Sequence, residues 1–324
     1  MINRPDPTPT EGFARSMRLQ ERSCPICGKS DPVPALAGRD TWRGRDSAIF
    51  QVVRCRSCGM AYTNPRPSPA DLLEYFDGSY PFYRRSREGG PIDERRLVER
   101  LAPFLPRAER VARLAGKTGR LLDCGCGDGY FLTAMSRLGW EVQGLERDPA
   151  AAEHARSLGH NVVGGALEEA QLPQRGFDVI TMWGMLQLSD DPRATIRRSA
   201  DLLLPGGLLA LGLSNFASLD RRLLRGRWWG LGLPRHLSHF EPRTIEALLR
   251  SEHYRVESII MHAPRWVAFE NANTLLGVRG APGRASRVLR RAVAEILHAI
   301  ELATRRTMFA PVMEIYARAQ DLLR

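Results

Sequence analysis

Arg120-Leu121-Leu122-Asp123-Cys124-Gly125-Cys126-Gly127-Asp128-Gly129-Tyr130-Phe131-Leu132 is the stretch on which the fold turns. An apolar strand runs into a loop with glycine at every second position, and an apolar helix start follows. Glycine lets the backbone take φ > 0 and lets a ligand approach without a Cβ clash. The N–H groups of the following helix then face that ligand. The spacing Asp-x-Gly-x-Gly-x-Gly lacks the extra residue of the dinucleotide pattern G-x-G-x-x-G, which argues against NAD or FAD.

Working outward, strands and helices alternate. Strands are predicted at Arg120–Cys124, Glu141–Glu146, Asn161–Gly164, Phe177–Trp183 and Gly207–Leu213, with helices at Tyr130–Leu138, Pro149–Leu158 and Arg193–Leu203. This alternation implies a parallel sheet with helices on both faces. Further on come a helix at Pro242–Ser251, a sixth strand at His253–His262, a basic amphipathic helix at Arg284–Arg306 and a seventh strand at Val312–Arg318. Glu146 ends the second strand, about 20 residues beyond the loop, where an acid is expected to bind ribose hydroxyls. Upstream, Asp93–Ala115 has helical periodicity, broken or kinked by Pro103 and Pro106.

Composition narrows the class. The chain has 324 residues and is 43% hydrophobic, long enough for one full domain plus an appendage. It carries no apolar run of membrane-spanning length. The polar, Pro-rich start is no secretory signal, so a cytoplasmic location is expected. The net charge of +11 raises nucleic acid as a partner. Only Lys29 and Lys117 are lysines, however, and the arginines are scattered among Glu and Asp, which weakens that reading.

The cysteines separate into two sets. Cys24-Pro25-Ile26-Cys27-Gly28 and Cys55-Arg56-Ser57-Cys58-Gly59 are matching knuckles. Two intervening residues place both thiolates on one side of a tight turn, and the following glycine accepts its φ > 0. Four thiolates close a tetrahedral shell, so a structural Zn2+ is expected on Cys24, Cys27, Cys55 and Cys58, with rubredoxin-like iron as the alternative. The long gap between the pairs requires a hairpin, expected over Trp42–Val53. Cys124 and Cys126 sit among packed glycines and read as small apolar residues.

The expected architecture is therefore α/β: a doubly wound, seven-stranded Rossmann-like sheet with a small N-terminal zinc-binding module. The divisions are a disordered tail (1–20), the zinc module (21–68), a helical lid or linker (69–118) and the catalytic domain (119–324). The last carries an insertion (214–241) and a C-terminal helix and strand (284–318).

The glycine loop, Glu146 and the strand order resemble the class I S-adenosylmethionine-dependent methyltransferases from about Glu94 to the C-terminus. The resemblance implies that Asp123, Gly125, Gly127 and Gly129 enclose the methionine part of the cofactor and that Glu146 holds the ribose. The adenine-contacting stretch corresponds to Gly165-Ala166-Leu167-Glu168, where many members have Asp and this chain has Ala166-Leu167. Cys126, Arg147 and Trp183 complete the expected cofactor shell. Relatives often carry Asp-x-x-Glu-His after the fourth strand; here the segment reads Gly184-Met185-Leu186-Gln187-Leu188, so those groups are absent. The knuckles followed by Ala61-Tyr62-Thr63-Asn64-Pro65-Arg66-Pro67 resemble a methyltransferase group working on sugars, surface polysaccharides or secondary metabolites.

The insertion matches a Pro-x-His-Leu-x-x-Phe element of that group at Pro234–Phe240. His236 is the candidate base or acceptor-orienting group, with a structural histidine as the competing role, and His239 is second. Tyr80, Tyr83 and Trp228 are candidate substrate contacts. Three functions follow: methylation of a small-molecule acceptor at O, N or C; RNA methylation with the zinc module as binding arm; or cofactor binding without catalysis. The sequence does not set an oligomeric state.

Overall fold

The computed structural model describes residues 17–40, 48–76, 94–277 and 284–320. Tyr80, Tyr83 and most of the expected N-terminal tail lie outside them.

The strands, in chain order, are β1 (Leu19–Gln20), β2 (Pro32–Arg39), β3 (Ile49–Cys55), β4 (Ala61–Thr63), β5 (Arg66–Pro67), β6 (Arg120–Cys124), β7 (Glu141–Glu146), β8 (Asn161–Gly164), β9 (Phe177–Trp183), β10 (Leu203–Ser214), β11 (Ser238–His239), β12 (Tyr254–His262) and β13 (Val312–Ala319). The large sheet has seven strands in the order β12-β13-β10-β9-β6-β7-β8. The strands β10, β9, β6, β7 and β8 run parallel, whereas β13 pairs antiparallel with both β10 and β12. The sheet is doubly wound and Rossmann-like, as expected, but mixed rather than wholly parallel. Alternation along the chain reveals crossovers; it does not reveal that the last strand returns between two earlier ones. Leu121, Leu122, Val179, Ile180, Leu208 and Leu209 are fully buried at the sheet centre, and their near-continuous apolar runs fit strands covered on both faces.

Helices cover the sheet. Glu94–Leu101 and Leu105–Ala115 are separate, broken near Pro103 as predicted, with Pro106 in the first turn of the second. Pro149–Ser157 is capped by Asp148, whose side chain accepts from Ala151 N, and Pro192–Leu202 by Asp191 in the same way. Arg265–Leu276, a helix without an apolar stripe, packs through Ala268 and Ala272 on Ala294 and Leu297 of the helix Arg284–Thr304. No helix among the described residues is long and apolar enough to cross a membrane.

The second sheet has four strands in the order β11-β4-β3-β2. Its hairpin is β2–β3, starting at Pro32 rather than Trp42. Its outer strand β11 comes from the far insertion and pairs Ser238 with Tyr62 and His239 with Ala61. The insertion thus completes the sheet of the N-terminal segment, and a two-residue strand is too short to show any period in sequence.

Candidate active site and four-cysteine cluster

The glycine loop joins the carboxyl end of β6 to the helix Tyr130–Arg137. Gly125, Gly127 and Gly129 all take positive φ, at 78°, 53° and 81°. Their surroundings differ. A Cβ on Gly129 would stand 2.7 Å from Ala155 Cβ, so this glycine serves helix packing. A Cβ on Gly125 would meet Met185 at 3.3 Å. At Gly127, and likewise at Gly164, Gly165 and Gly184, no described atom lies within 4 Å of that position. These open glycines sit at or after the carboxyl ends of β6, β8 and β9, where ligands lie in open α/β sheets.

Glu146 ends β7 and is buried. Its Oε2 accepts from Gly127 N at 2.9 Å and its Oε1 from Asp148 N at 2.8 Å. The carboxylate is therefore held between the loop and the next helix. Asp123 is buried at the end of β6, accepting from Thr181 Oγ1 at 2.7 Å. Burial pushes its carboxyl up to about 7. Ala166 and Leu167 are buried after β8, and Arg147 is exposed beside Glu146. Trp183 ends β9 with the Arg107 guanidinium 4.3 Å over its ring and Phe131 edge-on at 5.3 Å. Cys126 is buried, and a Cβ on Gly144 would meet its sulfur at 2.6 Å, so it packs as a small apolar group.

The histidines lie elsewhere, on the seam between the insertion and the smaller sheet. Both are only 4% exposed. His236 Nε2 receives Gln187 Nε2–H at 2.8 Å, and Nδ1–H donates to Gly230 O at 3.1 Å. Gln187 in turn accepts from Ser214 N at 3.2 Å. Burial pushes the His236 imidazole down to about 4, so it stays neutral. Gly232 allows this placement, because a Cβ there would lie 2.5 Å from the ring. His239 Nε2–H donates to Thr63 Oγ1 at 3.1 Å, and burial pushes it down to about 3. Trp228 is fully buried, its indole N–H donating to Asp220 at 2.7 Å. These groups pack against one another and leave no space large enough for a water molecule. Gln187 stands in the segment where the acidic and His positions are missing; its partnership with His236, 49 residues on, carries no local sequence signal.

The knuckles superimpose in their bonding. Cys24 N donates to Lys29 O and Gly28 N to Cys24 O; Cys55 N donates to Met60 O and Gly59 N to Cys55 O, each at 2.9 Å. Gly28 and Gly59 have φ of 73° and 77°. The four Sγ atoms lie within 4.8 Å of one another, with Cys24–Cys58 and Cys27–Cys55 at 3.5 Å. Tetrahedral zinc with Zn–S of about 2.3 Å needs sulfurs roughly 3.8 Å apart, so the cluster fits.

A mixed seven-stranded sheet with a glycine loop and a pinned acid at adjacent strand ends defines a class of proteins that bind a nucleoside-containing cofactor. The chain belongs to the methyltransferase-domain family, which matches residues 93–259, just over half its length, and it is an S-adenosylmethionine-dependent methyltransferase. It is similar to the ubiquinone biosynthesis O-methyltransferase of Xanthomonas axonopodis pv. citri, 31% identical over 163 residues, covering 46% of this chain and 67% of the relative. The same-named protein of Xanthomonas campestris pv. campestris (strain B100) is 32% identical over 162 residues, covering 46% and 68%. Among solved structures, a putative sarcosine dimethylglycine methyltransferase from Galdieria sulphuraria shares the fold, with a TM-score of 0.52 and 16% identity over 76% of this chain and 99% of that one.

Proposed function

We propose that this chain methylates a small-molecule acceptor, a sugar, nucleotide-linked sugar or secondary metabolite, at O, N or C. The observation that carries the cofactor site is Glu146, pinned by Gly127 N and Asp148 N beside ground left open by glycine. A carboxylate at this place is chemically suited to accept from the two ribose hydroxyls. Asp123, Gly125, Cys126, Gly127 and Gly129 would surround the methionine part, Ala166 and Leu167 the adenine through buried apolar and backbone contacts, with Arg147 and Trp183 at the margins. Bound S-adenosylmethionine supplies an electrophilic methyl on a sulfonium. The protein's part is alignment of the acceptor along that bond, and removal of a proton where the acceptor is a hydroxyl. The small-molecule reading is supported by the relatives named as O-methyltransferases of ubiquinone biosynthesis.

His236 acts by positioning. Both ring nitrogens are engaged, and an imidazole near pH 4 is a weak base at neutrality. His236→Ala and Gln187→Leu are each expected to lower kcat about tenfold, and the double variant no further, because they belong to one hydrogen-bonded chain. The pH–rate profile between pH 6 and 8 is expected to keep its shape in both. Near-normal turnover in His236→Ala, or loss of a titrating limb, would overturn this role. His239, tied to Thr63, and Trp228, tied to Asp220, support the same seam.

Cys24, Cys27, Cys55 and Cys58 would hold a structural Zn2+. Burial pushes the Cys55 thiol up to about 11, and a dication reverses that preference by favouring thiolate. Elemental analysis is expected to find one zinc per chain and no visible absorption; a coloured protein carrying iron would contradict it. Chelation is expected to lower the melting temperature of the whole chain, since β11 ties the catalytic domain to this sheet.

The function is tested by incubating the protein with methyl-labelled cofactor and a panel of nucleotide sugars, catechols and total RNA. Label on a small acceptor is expected; label on RNA alone would replace this reading with the RNA one.

A further inference from the structure

A second cleft, of about 320 Å3, opens between the first knuckle and the start of the helix Pro192–Leu202. It shares no residue with the glycine loop. That volume is at the lower end of the range for small-ligand pockets, about 300–1,000 Å3. Its wall contains Arg66, Tyr62 and Ser238, only 4%, 2% and 2% exposed. Tyr62 and Ser238 are direct cross-strand partners of β4 and β11, so their side chains lie on one face of the sheet.

These side chains share an anomaly. Arg66 Nη1 donates to Asp190 Oδ1 at 2.9 Å, but Arg66 Nε and Nη2 have no hydrogen-bond partner. The Tyr62 hydroxyl and Ser238 Oγ, both buried, have none either. An arginine is costly to bury, and leaving its N–H groups unmet adds a further penalty of about 1–3 kcal/mol each. Nε and Nη2 form one edge of the guanidinium fork, the edge whose paired N–H groups match two oxygens of a carboxylate or phosphate.

The remaining charges bear on the sign of the ligand. Arg22 and Arg193 line the cleft with Arg66, and Asp190, Asp191 and the proposed metal ligands Cys24 and Cys27 oppose them. Asp191 is committed to capping Ala194 N, and Asp190 neutralises only the Nη1 side of Arg66. Arg193 is paired with Glu252 at 2.8 Å. Arg22 stands exposed at the mouth. Buried polar atoms without a hydrogen-bond partner in this lining include the Arg66 edge, the two hydroxyls and Arg193 Nε, the last ion-paired with Glu252.

We propose that this cleft binds the oxyanion of an organic ligand, a phosphoryl or carboxylate group, on the Nε–Nη2 edge of Arg66, with the Tyr62 and Ser238 hydroxyls completing the shell. Arg22 adds long-range attraction at the entrance. The rest of the ligand occupies the remaining volume between the knuckle and the helix start. The cleft joins the N-terminal segment, the insertion and the loop after β9, so its occupation links all three.

The test is calorimetry on the full zinc-loaded chain with inorganic phosphate, uridine diphosphate and malonate as probes. Saturable binding of uridine diphosphate or malonate is expected, tighter than that of inorganic phosphate. Preference for uridine diphosphate assigns the site to phosphoryl groups, and preference for malonate to carboxylates. Arg66→Lys, which keeps the charge and loses the fork, is expected to weaken binding about tenfold or more, and Tyr62→Phe about fivefold. Binding of S-adenosylhomocysteine, which uses a separate set of residues, is expected to stay within about twofold in both variants. The exposed Arg22→Ala variant gives a readout free of folding effects and is expected to reduce affinity and its salt dependence. Absence of saturable binding of every probe to the wild-type chain overturns the proposal. So does wild-type affinity in folded Arg66→Lys and Tyr62→Phe.

Discussion

Glu146→Ala is expected to weaken S-adenosylhomocysteine binding about 100-fold or more, read by calorimetry. The carboxylate would accept two charge-assisted hydrogen bonds from the ribose, each worth about 1.5–3 kcal/mol, and 1.4 kcal/mol is tenfold in affinity. The same carboxylate fastens Gly127 N and Asp148 N, so its removal also frees the loop. Glu146→Gln, which keeps one acceptor and the side-chain volume, is expected to fall between wild type and alanine. Gly127→Val should match the alanine variant by another route. Its φ of 53° is strained for a β-branched residue, and the new side chain would project into the space left open over the loop. Wild-type protein that binds neither cofactor nor product, or Glu146→Ala that binds within threefold of wild type, would remove the site.

Asp40→Asn is expected to destabilise the chain by about 3–5 kcal/mol, a fall in melting temperature of about 4–7 °C for a protein of this size. Asp40 and Arg235 form an ion pair at 3.1 Å with neither side chain exposed to solvent. Arg235 Nε donates to Tyr75 O at 2.6 Å, and the guanidinium lies 5.5 Å over the Tyr75 ring. Neutralising one partner removes the opposing charge from a fully buried guanidinium, which costs more than the pair itself contributes. Asp40→Leu with Arg235→Met should regain most of the loss, because apolar groups of similar volume need no counter-charge. Arg235 immediately precedes His236, so the single variant should also lower turnover while cofactor affinity stays near normal. A shift below about 2 °C in Asp40→Asn would show that water or another group compensates the arginine.

Much of the fold was legible in sequence. The runs that became β6, β7, β8 and β9 were located to the residue: β6 and β9 are largely apolar and bounded by glycine, and β7 and β8 each follow a helix in the regular alternation. The break between the helices ending at Leu101 and beginning at Leu105 was legible from Pro103 and Pro106. The knuckles were legible because a metal site of this kind is made by local spacing. The helix Arg265–Leu276 was missed, since it buries small residues and polar Asn271 rather than an apolar stripe. The antiparallel placement of β13 was missed because neighbours in a sheet need not be neighbours in the chain.

By itself the sequence determined the class: a glycine-rich strand–helix turn, an acid about 20 residues beyond it, and paired CxxC units, all properties of short segments. Only the tertiary structure decided which glycine faces open space and which serves packing, since that depends on Ala155 and Met185 from other elements. It alone joined Ser238 to Tyr62, His236 to Gln187 and Arg235 to Asp40, and left the Nε–Nη2 edge of Arg66 without a hydrogen-bond partner. The reason is physical. A turn or a metal knuckle is specified by neighbours in sequence, whereas the satisfaction of a buried polar group depends on what the rest of the chain brings against it.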